Sequence, residues 1–154
     1  MMKLQRHFKD IGIGGIIARW YDNNTRKSRL AEMKAYAKEV AKHIQDGCSI
    51  LEVAPGPGYL AIELAKLGKC KKIIGLDISK DLVEIAQRNA KEAGVIEVEF
   101  RQGNVADIPF PDNKFDFIIC KLYYSKLLRT INFLILSTFM IYPKNKHLHC
   151  SIHH

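Results

Sequence analysis

From Lys121 to His154 the chain contains no aspartate, no glutamate and no glycine. An α/β segment of that length ordinarily carries helix caps and turn glycines, so this stretch is expected to differ in kind from what precedes it. Also absent is any run approaching the roughly 20 apolar residues of a membrane-spanning helix. Residues 1–10 are charged and hold no apolar signal core, so export is not expected. Cys48, Cys70, Cys120 and Cys150 show no Cys-x-x-Cys spacing, which argues against a zinc ribbon. Reduced thiols in a cytoplasmic protein are the expectation.

The charge is one-sided but not evenly so. The chain has 24 Lys and Arg against 16 Asp and Glu, a formal net charge of +8. Five of those bases and none of the acids fall after residue 120, so the excess is concentrated in the tail. A nucleic-acid surface would instead spread basic and aromatic residues along the domain, and none is expected. At 154 residues, 47% of them hydrophobic, the chain fits one domain with a real core.

What is present is concentrated in a junction. Residues 50 to 58 read Ile-Leu-Glu-Val-Ala-Pro-Gly-Pro-Gly, an apolar run suited to an internal parallel strand that enters a glycine-proline turn. Gly56 and Gly58 lack a Cβ, so a ligand can approach the backbone there. From Tyr59 to Leu67, Leu60, Leu64 and Leu67 fall on one helical stripe. A helix N-terminus at such a turn favours anionic or polar ligand groups.

Residues 73 to 77, Ile-Ile-Gly-Leu-Asp, give a second apolar strand that ends in a carboxylate. Neighbouring parallel strands end side by side, which puts Asp77 beside the glycine turn and within reach of ribose hydroxyls. Ser79 is a candidate helix cap and Gly94 a candidate terminator, with Leu82, Ile85, Ala86, Asn89 and Ala93 keeping a stripe between them. Strand, glycine turn, helix, strand, acid and helix make half of a doubly wound α/β domain. These features alone also fit a nicotinamide cofactor.

Two more features separate the cases. Glu52 lies inside the strand that feeds the turn, and residues 103–110 read Gly-Asn-Val-Ala-Asp-Ile-Pro-Phe, followed by Pro-Asp-Asn-Lys-Phe-Asp-Phe-Ile-Ile-Cys. With these the chain resembles the class I S-adenosylmethionine-dependent methyltransferases, particularly the small-molecule group that includes quinone-biosynthesis C-methyltransferases. The resemblance covers roughly residues 15–120 and rests on four motifs in order. It implies a Rossmann-like sheet with strand order 3-2-1-4 and a leading helix.

The resemblance also implies roles. Glu52 would reach the methionine ammonium, directly or through water. Ala54, Gly56 and Gly58 would wrap the methionine part, with Ala54 standing where the family usually has its first glycine. Asp77 would bind the ribose and Ile78 lie against adenine. Asn104 and Val105 would meet the adenine edge, Asn104 replacing a frequent aspartate and offering an uncharged acceptor. Tyr21, in the Trp20-Tyr21-Asp22 segment that often closes over the cofactor, is a candidate contact for the donor's carboxylate, with ordinary core packing as the alternative. No catalytic base is identified.

Organisation follows from the same pattern. Residues 1–24 read as an N-terminal segment, in which Ile11-Gly-Ile-Gly-Gly is a flexible turn. Residues 25–120 read as the cofactor-binding domain. A helix is expected over 25–46, with Leu30, Met33, Ala37, Val40, Ala41 and Ile44 inward and Gly47 closing it. The third and fourth strands are expected at 97–101 and 115–120. Residues 121–154 read as an atypical basic and apolar tail, expected to be out of frame, with the family's C-terminal strands missing. The fourth strand would then be an exposed edge, which Ile131–Tyr142 could cover as strand or helix. His147, His149, Cys150, His153 and His154 cluster at the chain end without fixed geometry, so no metal site is expected.

The function expected is methyl transfer from S-adenosylmethionine to a small-molecule acceptor. A truncated, inactive cofactor-binding fragment is the alternative, and an NAD-dependent oxidoreductase a further one.

Overall fold

The computed structural model describes residues 15–104, 107–121 and 139–143. Three helices and five strands are present among them: α1 (Gly15–Val40), β1 (Cys48–Val53), α2 (Tyr59–Lys66), β2 (Cys70–Asp77), α3 (Lys80–Ala93), β3 (Val98–Gln102), β4 (Phe117–Lys121) and β5 (Phe139–Pro143). The sheet order is β3-β2-β1-β4-β5. The first four strands are parallel, in the 3-2-1-4 order expected. β5 runs antiparallel to β4, with Phe117 opposite Pro143 and Lys121 opposite Phe139. The edge beyond the fourth strand, which Ile131–Tyr142 could cover as strand or helix, is thus paired by a strand that overlaps the end of that segment.

Alternation along the strands divides the core. Ile50, Ile73, Phe100 and Ile119 face one way and pack with Met33, Ala37 and Val40 of α1, Leu60 and Leu64 of α2, and Val83 and Ala86 of α3. Leu51, Val53, Ile74 and Leu76 face the other way, where Ile108, Phe110 and Phe115 cover them. Among the described residues, helices thus lie on one face and a loop on the other. Phe110 and Phe115 meet edge to face, ring centroids 5.1 Å apart, an arrangement that suits their quadrupoles.

The leading helix departs from expectation. It starts at Gly15, ten residues before the expected start at 25, and ends at Val40 instead of 46. Trp20, Tyr21 and Asp22 are therefore part of the helix itself. Its first turns are fixed by Ala18, buried against Leu82 and Ile85 of α3, and by Asp22, a buried acid. Neither marks an apolar stripe. At the other end the Lys69 ammonium donates to the Ala41 and Ile44 carbonyls, at 2.8 and 3.4 Å, and so satisfies backbone acceptors beyond the helix. Gly47, at φ +76°, opens β1.

The second crossover follows its sequence closely. The Ser79 hydroxyl accepts from the Leu82 N–H at 3.2 Å and caps α3, while Gly94 ends it in the left-handed conformation. Strands one and two begin earlier than their apolar runs, at Cys48 and Cys70. Strands three and four are each displaced toward the C-terminus, and Phe115 is buried in the loop before β4.

Candidate functional site

Parallel register brings three separated segments to one crevice. Val53 is opposite Leu76, and Asp77 opposite Gln102, so β1, β2 and β3 finish side by side. Just past those ends, the Ala54 N–H donates to the Leu76 carbonyl and the Gly103 N–H to the Asp77 carbonyl, both at 2.9 Å. Residues 54–58, 77–78 and 103–104 are thus neighbours. The strand order reverses at β1, the position where open α/β sheets bind ligands.

Asp77 organises the middle of this crevice. Its carboxylate accepts the Gly56 N–H at 3.0 Å and the Ser79 N–H at 2.9 Å, one on each oxygen. A carboxylate has about four lone-pair positions, so each oxygen keeps one for a ligand hydroxyl. Burial pushes the Asp77 pKa above its ordinary value, and the backbone N–H groups of Ser79, Gly56 and Ile78 only partly offset this. An acid held there at a desolvation cost is a functional-site signature.

The loop takes the left-handed backbone three times, at Ala54 (φ 54°), Gly56 (φ 58°) and Gly58 (φ 80°). The two glycines do different work. A Cβ on Gly58 would strike the Phe100 ring, so its absence allows loop, α3 and β3 to pack. A Cβ on Gly56 would meet nothing within 4 Å, so the space above it is open to a ligand. Gly58 also caps α2 without any side-chain hydrogen bond.

Three elements hold this loop. Asp77 at the end of β2 takes the Gly56 N–H. The Asn89 amide of α3 donates to the Pro57 carbonyl at 3.0 Å from a buried position. The Tyr59 hydroxyl donates to the Asp22 carboxylate on α1, itself only 1% exposed, and Arg88 of α3 lies 4.0 Å from the other Asp22 oxygen. Sequence reasoning singled out neither Asp22 nor Asn89 as a site residue. The available signal for Asn89 was an amide on an otherwise apolar helical stripe.

The remaining expected site residues are distributed as follows. Glu52 is buried, 3% exposed, on the sheet face that carries the helices, opposite Gly75 of β2 and Ile119 of β4. Ile78 is half-buried and Asn104 exposed. Val105 lies outside the described residues, as does the side chain of Tyr21. So do the histidines of residues 147–154. Among the described residues no group of three or more His, Cys, Asp or Glu could hold a metal ion. No described helix is long and apolar enough to cross a membrane. A groove of about 480 Å³ between α1 and α2, floored by Leu30, Ala37 and Leu67, lies away from the strand ends and contains none of the site residues.

This geometry has relatives. The family described as "Methyltransferase domain" matches residues 44–143, most of the described chain. The chain belongs to this family. The match continues past Cys120, where the recognisable motifs stop, and includes β5. Demethylmenaquinone methyltransferase of Bacillus velezensis is 29% identical over 116 residues, 71% of this methyltransferase-family chain and 50% of the relative. An uncharacterised methyltransferase of Bacillus subtilis, YcgJ, is 38% identical over 72 residues, 47% of this chain and 28% of the relative. A solved structure from Methanococcus maripaludis, assigned as an S-adenosyl-L-methionine-dependent methyltransferase, superposes with a TM-score of 0.61 at 28% identity, covering 71% of this chain and 54% of that one. The chain spans about half the length, or less, of the curated relatives it matches.

Proposed function

We propose that the crevice binds S-adenosyl-L-methionine and that the protein transfers its methyl group to a small-molecule acceptor. The observation that carries this reading is the Asp77 carboxylate, buried at the end of β2 and 3.0 Å from the Gly56 N–H of the loop after β1. Asp77 would accept the ribose hydroxyls with its remaining lone pairs. The open space over Gly56, ahead of the start of α2, would take the methionine part. Glu52 would hold the ammonium, and Ile78, Asn104 and Val105 would face adenine. Tyr21, on the helix that also carries Asp22, would close the site.

When bound, the cofactor supplies an electrophilic methyl on a sulfonium. The chain's contribution is to align that methyl with its acceptor and to exclude water, which can supply most of the acceleration. A base is required only where the acceptor must lose a proton. The demethylmenaquinone methyltransferase relatives support an aromatic, quinone-like acceptor. A cytoplasmic protein with no nucleic-acid partner belongs to the same reading, supported by the concentration of basic excess beyond residue 120.

Calorimetric titration with S-adenosyl-L-homocysteine and with NADH tests the binding half. Binding of the first alone is expected. Binding of NADH with no response to S-adenosyl-L-homocysteine would overturn the proposal in favour of an oxidoreductase. Methyl-labelled S-adenosyl-L-methionine with a demethylated naphthoquinol then tests transfer. Tight binding without label in any acceptor would leave a cofactor-binding module.

A further inference from the structure

Register does for the cysteines what spacing did not. Cys48 and Cys70 are 22 residues apart in sequence, yet they are direct partners at the start of β1 and β2. Their Sγ atoms are 3.8 Å apart and both residues are buried, 3% and 6% exposed. Neighbouring strands lie about 4.8 Å apart, inside the roughly 4.4–6.8 Å Cα separation that a disulfide spans. The register shifts immediately beside the pair, Ser49 facing Lys72, so Lys71 has no partner in the ladder. That irregularity gives the strand starts latitude to adjust.

We propose that Cys48 and Cys70 are a dithiol–disulfide couple, a covalent lock between β1 and β2 closed by low-molecular-weight disulfides and opened by thiols. In the closing reaction one protein thiolate attacks a sulfur of the reagent disulfide and expels one reagent thiolate. The second protein thiolate then attacks the protein sulfur of that mixed disulfide and expels the other. Two protein thiols are oxidised, one reagent disulfide is reduced to two thiols, and the two protons pass to the reagent thiolates or to water.

The location sets the consequence. The pair is at the amino ends of the strands, while the crevice is at their carboxyl ends, so the lock leaves the crevice open. It closes a loop containing all of β1, the glycine turn and α2. Cys120 is opposite Val53 at the other end of the sheet and does not compete. Burial raises both thiol pKa values, Cys70 to about 12, against a lowering influence of Lys69 on each and a further raising influence of Asp116 on Cys48. Closure is therefore slow, and the couple has to be read at equilibrium.

The test uses the full chain carrying Cys120→Ser and Cys150→Ser, equilibrated in glutathione buffers of increasing oxidised fraction, natively and in urea. After acid quench and alkylation, mass spectrometry reads the loss of two hydrogens and the linked peptides. A native effective concentration roughly 100-fold above the urea value is expected, since a native-compatible bond stabilises the fold by the same factor. The oxidised form is expected to melt on the order of 10 °C higher and to return to the original midpoint on reduction. Peptide mapping of the unsubstituted chain should give the same linkage. Two free thiols at native equilibrium, or a bond favoured equally or better in urea, would show that the pair only fills the core.

Discussion

At the carboxyl ends of β1 and β2 lie Ala54, Gly56, Gly58 and Asp77; at their amino ends lie Cys48 and Cys70. The same two strands thus end in opposite materials. The crevice end carries three left-handed residues and two buried acids, Glu52 and Asp77. The other end carries two buried thiols within the apolar core. One end keeps backbone and charge available at a cost in stability, and the other is packed. The comparison teaches that the crevice is held in place by polar ties from three elements, Asp22, Asp77 and Asn89, because its backbone does not pack itself.

The sharpest test of that division is Gly58→Ala. The new Cβ would meet Phe100 and Ala86 at a positive φ, and chemical denaturation should show a loss of about 2–4 kcal/mol. Gly56→Ala, with nothing in reach of its Cβ, should cost only about 1 kcal/mol of stability while weakening S-adenosyl-L-homocysteine binding. Equal stability losses at the two glycines would break the comparison.

Next comes Asp77→Asn. Loss of the charged acceptor should weaken S-adenosyl-L-homocysteine by about 30-fold in calorimetry. Stability at neutral pH should change less than binding does, because relief of the buried charge offsets part of the roughly 1–2 kcal/mol lost where an amide nitrogen cannot accept the Gly56 or Ser79 N–H. The folded-state pKa of Asp77 is raised, so its ionised form works against folding above that pKa, and this cost is relieved as pH falls through it. Ligand affinity has the opposite dependence. It should drop on acidification, with a midpoint above the ordinary aspartate value of 3.8, and the midpoint should vanish in Asp77→Asn.

Asn89→Ala removes the donor to Pro57 and should cost about 1–2 kcal/mol. Hydrogen exchange over residues 56–62 should rise more than over β1 if the amide holds the loop. The smallest effect belongs to Ala54→Gly. Alanine at φ 54° is strained, so glycine there should raise stability by about 0.5–1 kcal/mol, one of the few glycine substitutions expected to stabilise.

Much of the fold was legible because its signals are local. The run Ile50–Val53, the glycines at 56 and 58, and the cap and terminator at Ser79 and Gly94 each report a backbone requirement through a neighbouring residue. The start of α1 was not legible, since Ala18 and Asp22 are buried by contacts with Leu82, Ile85 and Tyr59 and present no periodic apolar pattern. The place of Asp77 beside the glycine turn could be read from its position at a strand end. Asn89 and Asp22 could not be assigned to the loop, because their partners are 32 and 37 residues away.

By itself the sequence determined the strand-turn-helix units and the acid at the second strand's end, because hydrophobic period, capping and glycine conformation act over a few residues. Only the tertiary structure decided what covers β4, which residues anchor the loop, and that Cys48 faces Cys70. Those follow from sheet register and helix packing, which join residues that no local spacing relates.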